Sequence, residues 1–436
     1  MRSSGLPLVA LSLLVLCRTA LAEEVDLRRA VEMALANNPQ IREARSALEG
    51  ARGELRSAKA GLLPSLRLEG AYVRLKEARL LPEFVGTPQN PVKIFEVPLA
   101  REETYSASLK LEWLLWSGGG IESQVRAAER ALEAAEHNLE AVKNQVRFKA
   151  EQAYFQALKA RALEELAAEV VDLLEVHLRN VRKMFEVGLV PRSDVLRVEV
   201  ELSNARLNLL RARNGHELAL ASFRKVLGAQ GDVRPSPLAD PPQGVPSDLR
   251  GEIELALQRR PELRSLELAM ERARELERAA ASSTRPALAL SAQLSSQGDK
   301  PRLGEDSWSV ALGLRWNLFD GGASEGRVEQ LRALFRQLEA SLEGLRDGVE
   351  LSVESAYLKL TSALERLQVA SREVDKARLE YDMAVKRYRA QVASNVEVLD
   401  SQVALKQART NLIEALYDAW SARSELLYSK GYGGEL

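Results

Sequence analysis

Two stretches of the chain copy one another, and each joins an alternating segment through a glycine turn to a very long helical pattern. The first reads Tyr105-Ser-Ala-Ser-Leu-Lys-Leu-Glu-Trp-Leu-Leu-Trp-Ser-Gly-Gly-Gly120, and the second Trp308-Ser-Val-Ala-Leu-Gly-Leu-Arg-Trp-Asn-Leu-Phe-Asp-Gly-Gly322. Side chains alternate between the faces of a strand, so Tyr105, Ala107, Leu109, Leu111, Trp113 and Leu115 share one face, opposite Ser106, Ser108, Lys110 and Glu112. The copy sets Trp308, Val310, Leu312, Leu314, Trp316 and Leu318 against Ser309, Ala311, Gly313, Arg315 and Asn317. A strand of about 9–11 residues with one apolar face, one polar face and aromatic ends is the unit of a transmembrane β-barrel.

The chain opens with Arg2, an apolar run from Leu6 to Leu16 and Ala20-Leu21-Ala22 before two glutamates, the pattern of an export signal cleaved after Ala22. Lipidation at Cys17 is not expected, because the residue before a lipidated cysteine is normally small and here it is Leu16. With Cys17 removed, the mature chain offers no thiol for disulfides, nucleophilic catalysis or metal binding. The formal charge is −1, becoming −3 once Arg2 and Arg18 are lost, which leaves no basic footprint for nucleic acid. No apolar run of about 18 residues follows the signal, so no spanning helix is expected. Export without a spanning helix but with barrel-type strands points to a bacterial outer membrane.

Internal repetition organises the rest. Leu27 to Leu68 matches Leu249 to Leu290 at an offset of 222, with Pro39 on Pro261 and Pro64 on Pro286. From Ser106 onward the offset is 203, placing Trp113 on Trp316, Gly118 on Gly321 and Ala153-Tyr154 on Ala356-Tyr357; the 19 extra residues of the first half lie between its two strands. The chain therefore divides into a signal (1–22), a first repeat (23–227) with strands at about 65–72 and 105–116, a Pro-rich linker (228–248), a second repeat (249–430) with strands at about 287–293 and 308–319, and a tail (431–436). Within each repeat the order is helix, strand, strand, long helix, turn, helix. Prolines 82, 88, 91 and 98 make the loop from Lys76 to Glu103 irregular in expectation, on the side where barrels carry their longer loops.

The long helices run from Gly120 to about Val187 and through the second copy, some 67 residues or about 100 Å at 1.5 Å per residue. In the second copy the apolar seam from Leu331 to Tyr388 takes sixteen steps over 57 residues, about 3.56 per step, between the coiled-coil and straight-helix periods. The first reversal, Val187-Gly-Leu-Val-Pro-Arg-Ser-Asp194, has Gly188 as the helix stop, with Ser193 or Asp194 expected as the next N-cap; the second spans Tyr388 to Asn395.

One chain thus supplies four membrane strands. An open four-stranded sheet leaves edge groups without partners in lipid, so several copies must share a barrel, and a trimer gives twelve strands. The fold class expected is an α+β membrane protein: a trimeric twelve-stranded β-barrel, four strands per chain, continuous with a long periplasmic α-helical barrel and built by tandem duplication. Paired helices hanging from such a barrel suggest a duct across the periplasm.

These features together resemble the outer membrane efflux protein family, the TolC-like channels, over nearly all of the mature sequence. The resemblance is carried by Asn38-Pro39-Gln40-Ile41 and its copy Arg260-Pro261-Glu262-Leu263, the Leu63-Pro64 strand entry, Trp116-Ser-Gly-Gly119, Phe319-Asp-Gly-Gly322 and Val187-Gly188-Leu189. It implies a homotrimeric outer membrane exit duct of a tripartite efflux pump or type I secretion system, seated in outer membrane lipid and working with a periplasmic adaptor (membrane fusion) protein and an inner-membrane transporter. It further implies that Asp194, Glu397 and Asp400 line the pore constriction, that Tyr388 ties the closed tip, and that Val187-Gly188-Leu189 is the adaptor-docking tip. Two departures bear on gating: the arginine expected after Tyr388 is replaced by Ala393, leaving Arg389, Arg192 or no link at all, and Gln391 stands where the family often has glycine.

The residues support part of this independently. Glu397 and Asp400 are spaced i, i+3 and share a helix face, which in a trimer stacks two rings of three carboxylates that would favour cations; as first-turn acids they would also complement a helix dipole. Tyr105, Trp113, Trp116, Trp308 and Trp316 fit membrane-interface anchors. His137, His177 and His216 lack ligand spacing and read as solvated helix-face residues, no nucleophile neighbours a base, and no Gly-Lys-Ser/Thr follows the glycine turns, so no catalytic residue, metal or cofactor is expected. The rival reading is a periplasmic coiled-coil scaffold or adaptor without a pore, which would have no use for four strands with lipid-type alternation.

Overall fold

The computed structural model describes residues 23–76, 79–87, 90–100, 102–229, 231–238, 241–242, 244–246, 248–298 and 305–431; the signal and Cys17 lie outside them. In chain order the elements are β1 (Glu23–Val25), α1 (Leu27–Asn37), α2 (Pro39–Ala60), β2 (Ser65–Arg74), β3 (Arg79–Thr87), β4 (Asn90–Ala100), β5 (Glu103–Trp116), α3 (Gly120–Glu186) and α4 (Arg192–Leu227). The second half continues with β6 (Val233–Pro235), α5 (Leu249–Arg259), α6 (Pro261–Ala281), β7 (Ala287–Gly298), β8 (Glu305–Arg315), α7 (Ala323–Arg389) and α8 (Asn395–Ser429). Two compact units form, Met1–Arg42 with Val142–Arg259 and Val349–Leu436, and Glu43–Ala141 with Arg260–Gly348. Each draws on both halves of the duplicated sequence. Among the described residues, no helix is long and apolar enough to cross a membrane.

In the second unit β2, β5, β7 and β8 form one antiparallel sheet in the order β2-β5-β7-β8. Its register turns the alternation of each strand into rungs across all four. Leu68, Leu109, Leu294 and Trp308 make one apolar rung, and Leu66, Leu111, Ala292 and Val310 the next. On the opposite face run the polar rungs Arg67, Lys110, Gln293, Ser309 and Glu69, Ser108, Ser295, Ser307. Arg67 opposite Lys110 would repel, but Lys110 Nζ bonds Glu69 Oε2 at 2.7 Å and Arg67 lies 3.8 Å from the same carboxylate. The apolar face stays open: Leu68 is 76% exposed and Trp308 78%. A patch of that extent belongs in lipid or against another protein.

The strand ends differ from the sequence expectation. The second strand of each half begins earlier than expected, at Glu103 and Glu305, and β8 stops at Arg315, so Trp316 to Phe319 are not strand. There the chain turns toward Asp320, whose carboxylate accepts from Gly322 N at 3.1 Å and Ser324 N at 2.9 Å and starts α7. β7 runs on to Gly298 because its Ser and Gln residues keep pairing across both neighbours although they hide the alternation. The segment read as an irregular loop between Lys76 and Glu103 holds the antiparallel pair β3 and β4. Proline lacks only the N–H, and a two-stranded ribbon leaves half its N–H groups outward, so Pro82, Pro91 and Pro98 fit within it.

The strand-to-helix turns repeat faithfully. Gly118 and Gly119 have φ of 64° and 91°, Gly321 and Gly322 69° and 90°. Ser117 Oγ accepts from Ile121 N at 2.9 Å in the position that Asp320 holds in the second copy. Trp113 Nε1 donates to Leu62 O and Trp316 Nε1 to Thr284 O, both at 3.0 Å, so the duplicated indoles tie off duplicated helix ends.

In the first unit, β1 pairs in parallel with β6, a strand inside the segment read as a linker. They pack on Tyr154, Phe155, Phe223 and Leu227, and the Tyr154 hydroxyl donates to Ser236 O at 2.6 Å. α7 and α8 are antiparallel with a constant register, shown by Lys359–Glu425 (2.7 Å), Arg366–Asp418 (3.4 Å), Asn411–Glu373 (3.3 Å) and Arg387–Glu397 (2.7 Å). The α7 members sit at heptad spacings beside a buried seam that includes Val353, Leu360, Ala363, Ala370, Ala377, Ala384 and Tyr388. Exposed pairs of this kind contribute at most about 1 kcal/mol each, so burial holds the hairpin and the ions set its register.

The duplication provides its own control for the glycine turns. A Cβ at Gly118 would lie 2.6 Å from Arg285 Cβ, whereas at Gly321, with nearly the same φ, nothing lies within 4 Å. Gly321→Ala is expected to cost about 1–2 kcal/mol from backbone conformation alone. Gly118→Ala should cost at least about 1 kcal/mol more, read as a lower midpoint in thermal melts of the two variants side by side.

Candidate functional site

The helix tips hold most of the candidate residues. α3 ends in a left-handed Gly188 (φ 74°), with Leu189 N donating to Met184 O at 2.8 Å and Gly188 N to Phe185 O at 2.9 Å. This closure leaves Val187 and Leu189 pointing outward, 69% and 55% exposed. The second hairpin reverses the same way at Gln391 (φ 59°), with Val392 N on Arg387 O at 3.0 Å and Val392 65% exposed. Among the described residues Gln391 is the one non-glycine with positive φ.

The two return helices start differently. Ser394 caps α8, its Oγ accepting from Glu397 N at 3.3 Å. α4 is instead helical from Arg192, with Pro191 in the capping position and no side-chain cap bond. Ser193 and Asp194, expected as caps, therefore lie inside its first turn, because proline's fixed φ lets the helix begin directly after it.

Glu397 and Asp400 occupy one open face of α8, where they line a groove with Glu380, Met383 and Arg387 of α7. Glu397 Oε1 accepts from Arg387 Nη1 at 2.7 Å, and Asp400 is exposed one turn along. Asp194 is on the other hairpin and enters the tip through its backbone: its carbonyl accepts from Asn395 Nδ2 at 3.3 Å. Tyr388 is buried, and its hydroxyl has no hydrogen-bond partner among the described residues, so neither Arg389 nor Arg192 donates to it within the chain. Burial, and then the charge of Asp194, raise the pKa of that hydroxyl.

One residue of this cluster escaped the sequence reading. His177 is not solvated; it is 7% exposed and its Nε2 lies 2.8 Å from Asn395 Oδ1. Its ring packs on Tyr388 with centroids 5.7 Å apart. The clue was spacing: His177 is three residues after Leu174 and sits beside Leu178 and Val181, all in the buried cluster where both hairpins meet. His216 is also largely covered, with Nδ1 at 2.7 Å from Glu164 Oε2.

The aromatic residues divide by role. Trp308 and Trp316 are exposed near opposite ends of the β7–β8 pair, Trp113 and Trp116 near the end of β5, and Tyr105 packs on Tyr72 with centroids 4.8 Å apart. Among the described residues, no group of three or more His, Asp or Glu side chains converges as a metal site would.

The profile of the family described as outer membrane efflux protein matches residues 30–229 and 253–431. Protein CyaE of Bordetella pertussis is 26% identical over 423 residues, spanning 95% of this chain and 85% of its own length. The alkaline protease secretion protein AprF of Pseudomonas aeruginosa is 27% identical over 292 residues, 64% of this chain and 60% of its own. Among solved structures, the outer-membrane channel OprN superposes with a TM-score of 0.79 at 22% identity, over 94% of this chain and 90% of that one, a likeness of fold.

Gln391 marks a cost that glycine would remove. Gln391→Gly is expected to stabilise the second tip by about 0.5–1 kcal/mol, the left-handed penalty less the entropy glycine regains in the unfolded chain. Slower hydrogen exchange of the amides between Arg387 and Asn395 would register it.

Proposed function

Because the chain belongs to the outer membrane efflux protein family, and is thus an outer-membrane exit duct of a tripartite efflux or secretion system, we propose that three copies close one twelve-stranded barrel around the conducting path. The observation that carries this is the sheet: apolar rungs on one face, polar rungs on the other, and β2 and β8 each with a single neighbour among the described residues. In hydrocarbon those edge N–H and C=O groups require partners, and β8 of one copy beside β2 of the next supplies them. The polar rungs then face a water-filled lumen.

Passage through such a duct is passive, and energy comes from an inner-membrane transporter linked by a periplasmic adaptor. The adaptor docks on the outward apolar tips, Val187 and Leu189 around Gly188. Glu397 and Asp400 form two stacked carboxylate rings at the periplasmic entrance, with Asp194 beside them. AprF's role in protease secretion and the family's efflux description support export of either kind. The scaffold reading leaves the exposed apolar rungs without a purpose.

Single-channel recording in planar bilayers tests the duct and its entrance together. Native protein should give cation-selective steps that divalent ions block, and Glu397→Gln with Asp400→Asn should weaken that block by about tenfold or more. Unselective steps, or block unchanged in the double variant, would remove the carboxylate rings from the account. A cross-linked mass other than three chains would remove the twelve-stranded barrel.

A further inference from the structure

His177, Asn395, Tyr388 and Asp194 come from four different helices of one chain. His177 is on α3, Asp194 on α4, Tyr388 on α7 and Asn395 on α8, so the cluster joins the first helical hairpin to the second. Asn395 is the hub: 2% exposed, it accepts from His177 through Oδ1 at 2.8 Å and donates through Nδ2 to Asp194 O at 3.3 Å. These bonds fix the amide's orientation. Because Oδ1 can only accept, His177 Nε2 must carry its proton, and a neutral imidazole satisfies the pair.

We propose that His177 and Asn395 form a proton-sensitive clamp that holds the two hairpins of each chain together at the tips and releases them on acidification. The proposal rests on the reading of these tips as the duct's entrance. Asn395 from α8 and Tyr388 from α7 contact His177, and the charges of Asp194 on α4 and Arg389 on α7 act on it. Burial first, and the positive charge of Arg389, lower the pKa of His177 below the ordinary 6.5, against its hydrogen bond to Asn395 and the charge of Asp194, which raise it.

The direction follows from proton counting. In the packed tip burial disfavours the charged form of His177, whereas in a parted tip the ring is solvated and that penalty is gone. The parted state therefore binds more protons, and falling pH favours it. The clamp is at full strength above the ordinary histidine range and weakens as pH drops toward the lowered pKa. Over that interval the balance moves toward parting by up to about tenfold per chain for each pH unit.

The test places spin labels at the exposed tip positions of the full-length protein, with Val187→Cys and Val392→Cys, and reads label distances at about pH 7.5 and about pH 5. The native background should shift to longer, broader distances in acid. His177→Gln, whose amide still donates to Asn395 but does not titrate, should keep the neutral-pH distribution at both. Asn395→Leu should show the parted distribution already at neutral pH. An acid response surviving unchanged in His177→Gln, no acid response in the native background, or a closed Asn395→Leu tip would each overturn the clamp. Conductance on the same samples separates the two readings: distances that respond as expected without any current would sink the duct and leave the clamp standing.

Discussion

Everything in this chain answers to one constraint: a backbone amide in hydrocarbon must find its partner within protein. Four strands pair among themselves and leave two edges, and no arrangement of one chain closes them. The duplication that made two strand pairs from one also made two long hairpins.

The sheet and the hairpins meet this demand with different physics. In the sheet, register is the whole device, since a slip of one residue would turn Leu68, Leu109, Leu294 and Trp308 onto the polar face. In the helices a buried seam rich in alanine brings backbones close, and flanking ion pairs at heptad spacing hold the register over several turns. Neither depends on a large core. Where bulky side chains are fully buried, as with Tyr154, Phe155 and Phe223, they pin β1 and β6 to the helices.

The helix tips bring several locally unfavourable features together. A left-handed glutamine and a buried tyrosine hydroxyl without a partner among the described residues are local costs of about 1–3 kcal/mol each in other settings.

What the amino-acid sequence determined alone was everything set by local period. Alternation at Tyr105 to Leu115, the 3.56-residue seam from Leu331 to Tyr388, and the stops at Pro64 and Gly188 each act through near neighbours, and so the strands, the long helices and their reversals could be read directly. That Glu397 and Asp400 share one face of α8 was legible for the same reason, although only Glu397 falls in its first turn. Tertiary structure decided what depends on partners distant in sequence: that the proline-bearing segment between Lys76 and Glu103 pairs as β3 and β4, that Val233–Pro235 joins the chain's first strand, and that His177 is buried against Asn395, 218 residues away. Burial and strand pairing are properties of two segments at once, and no period within either one records them.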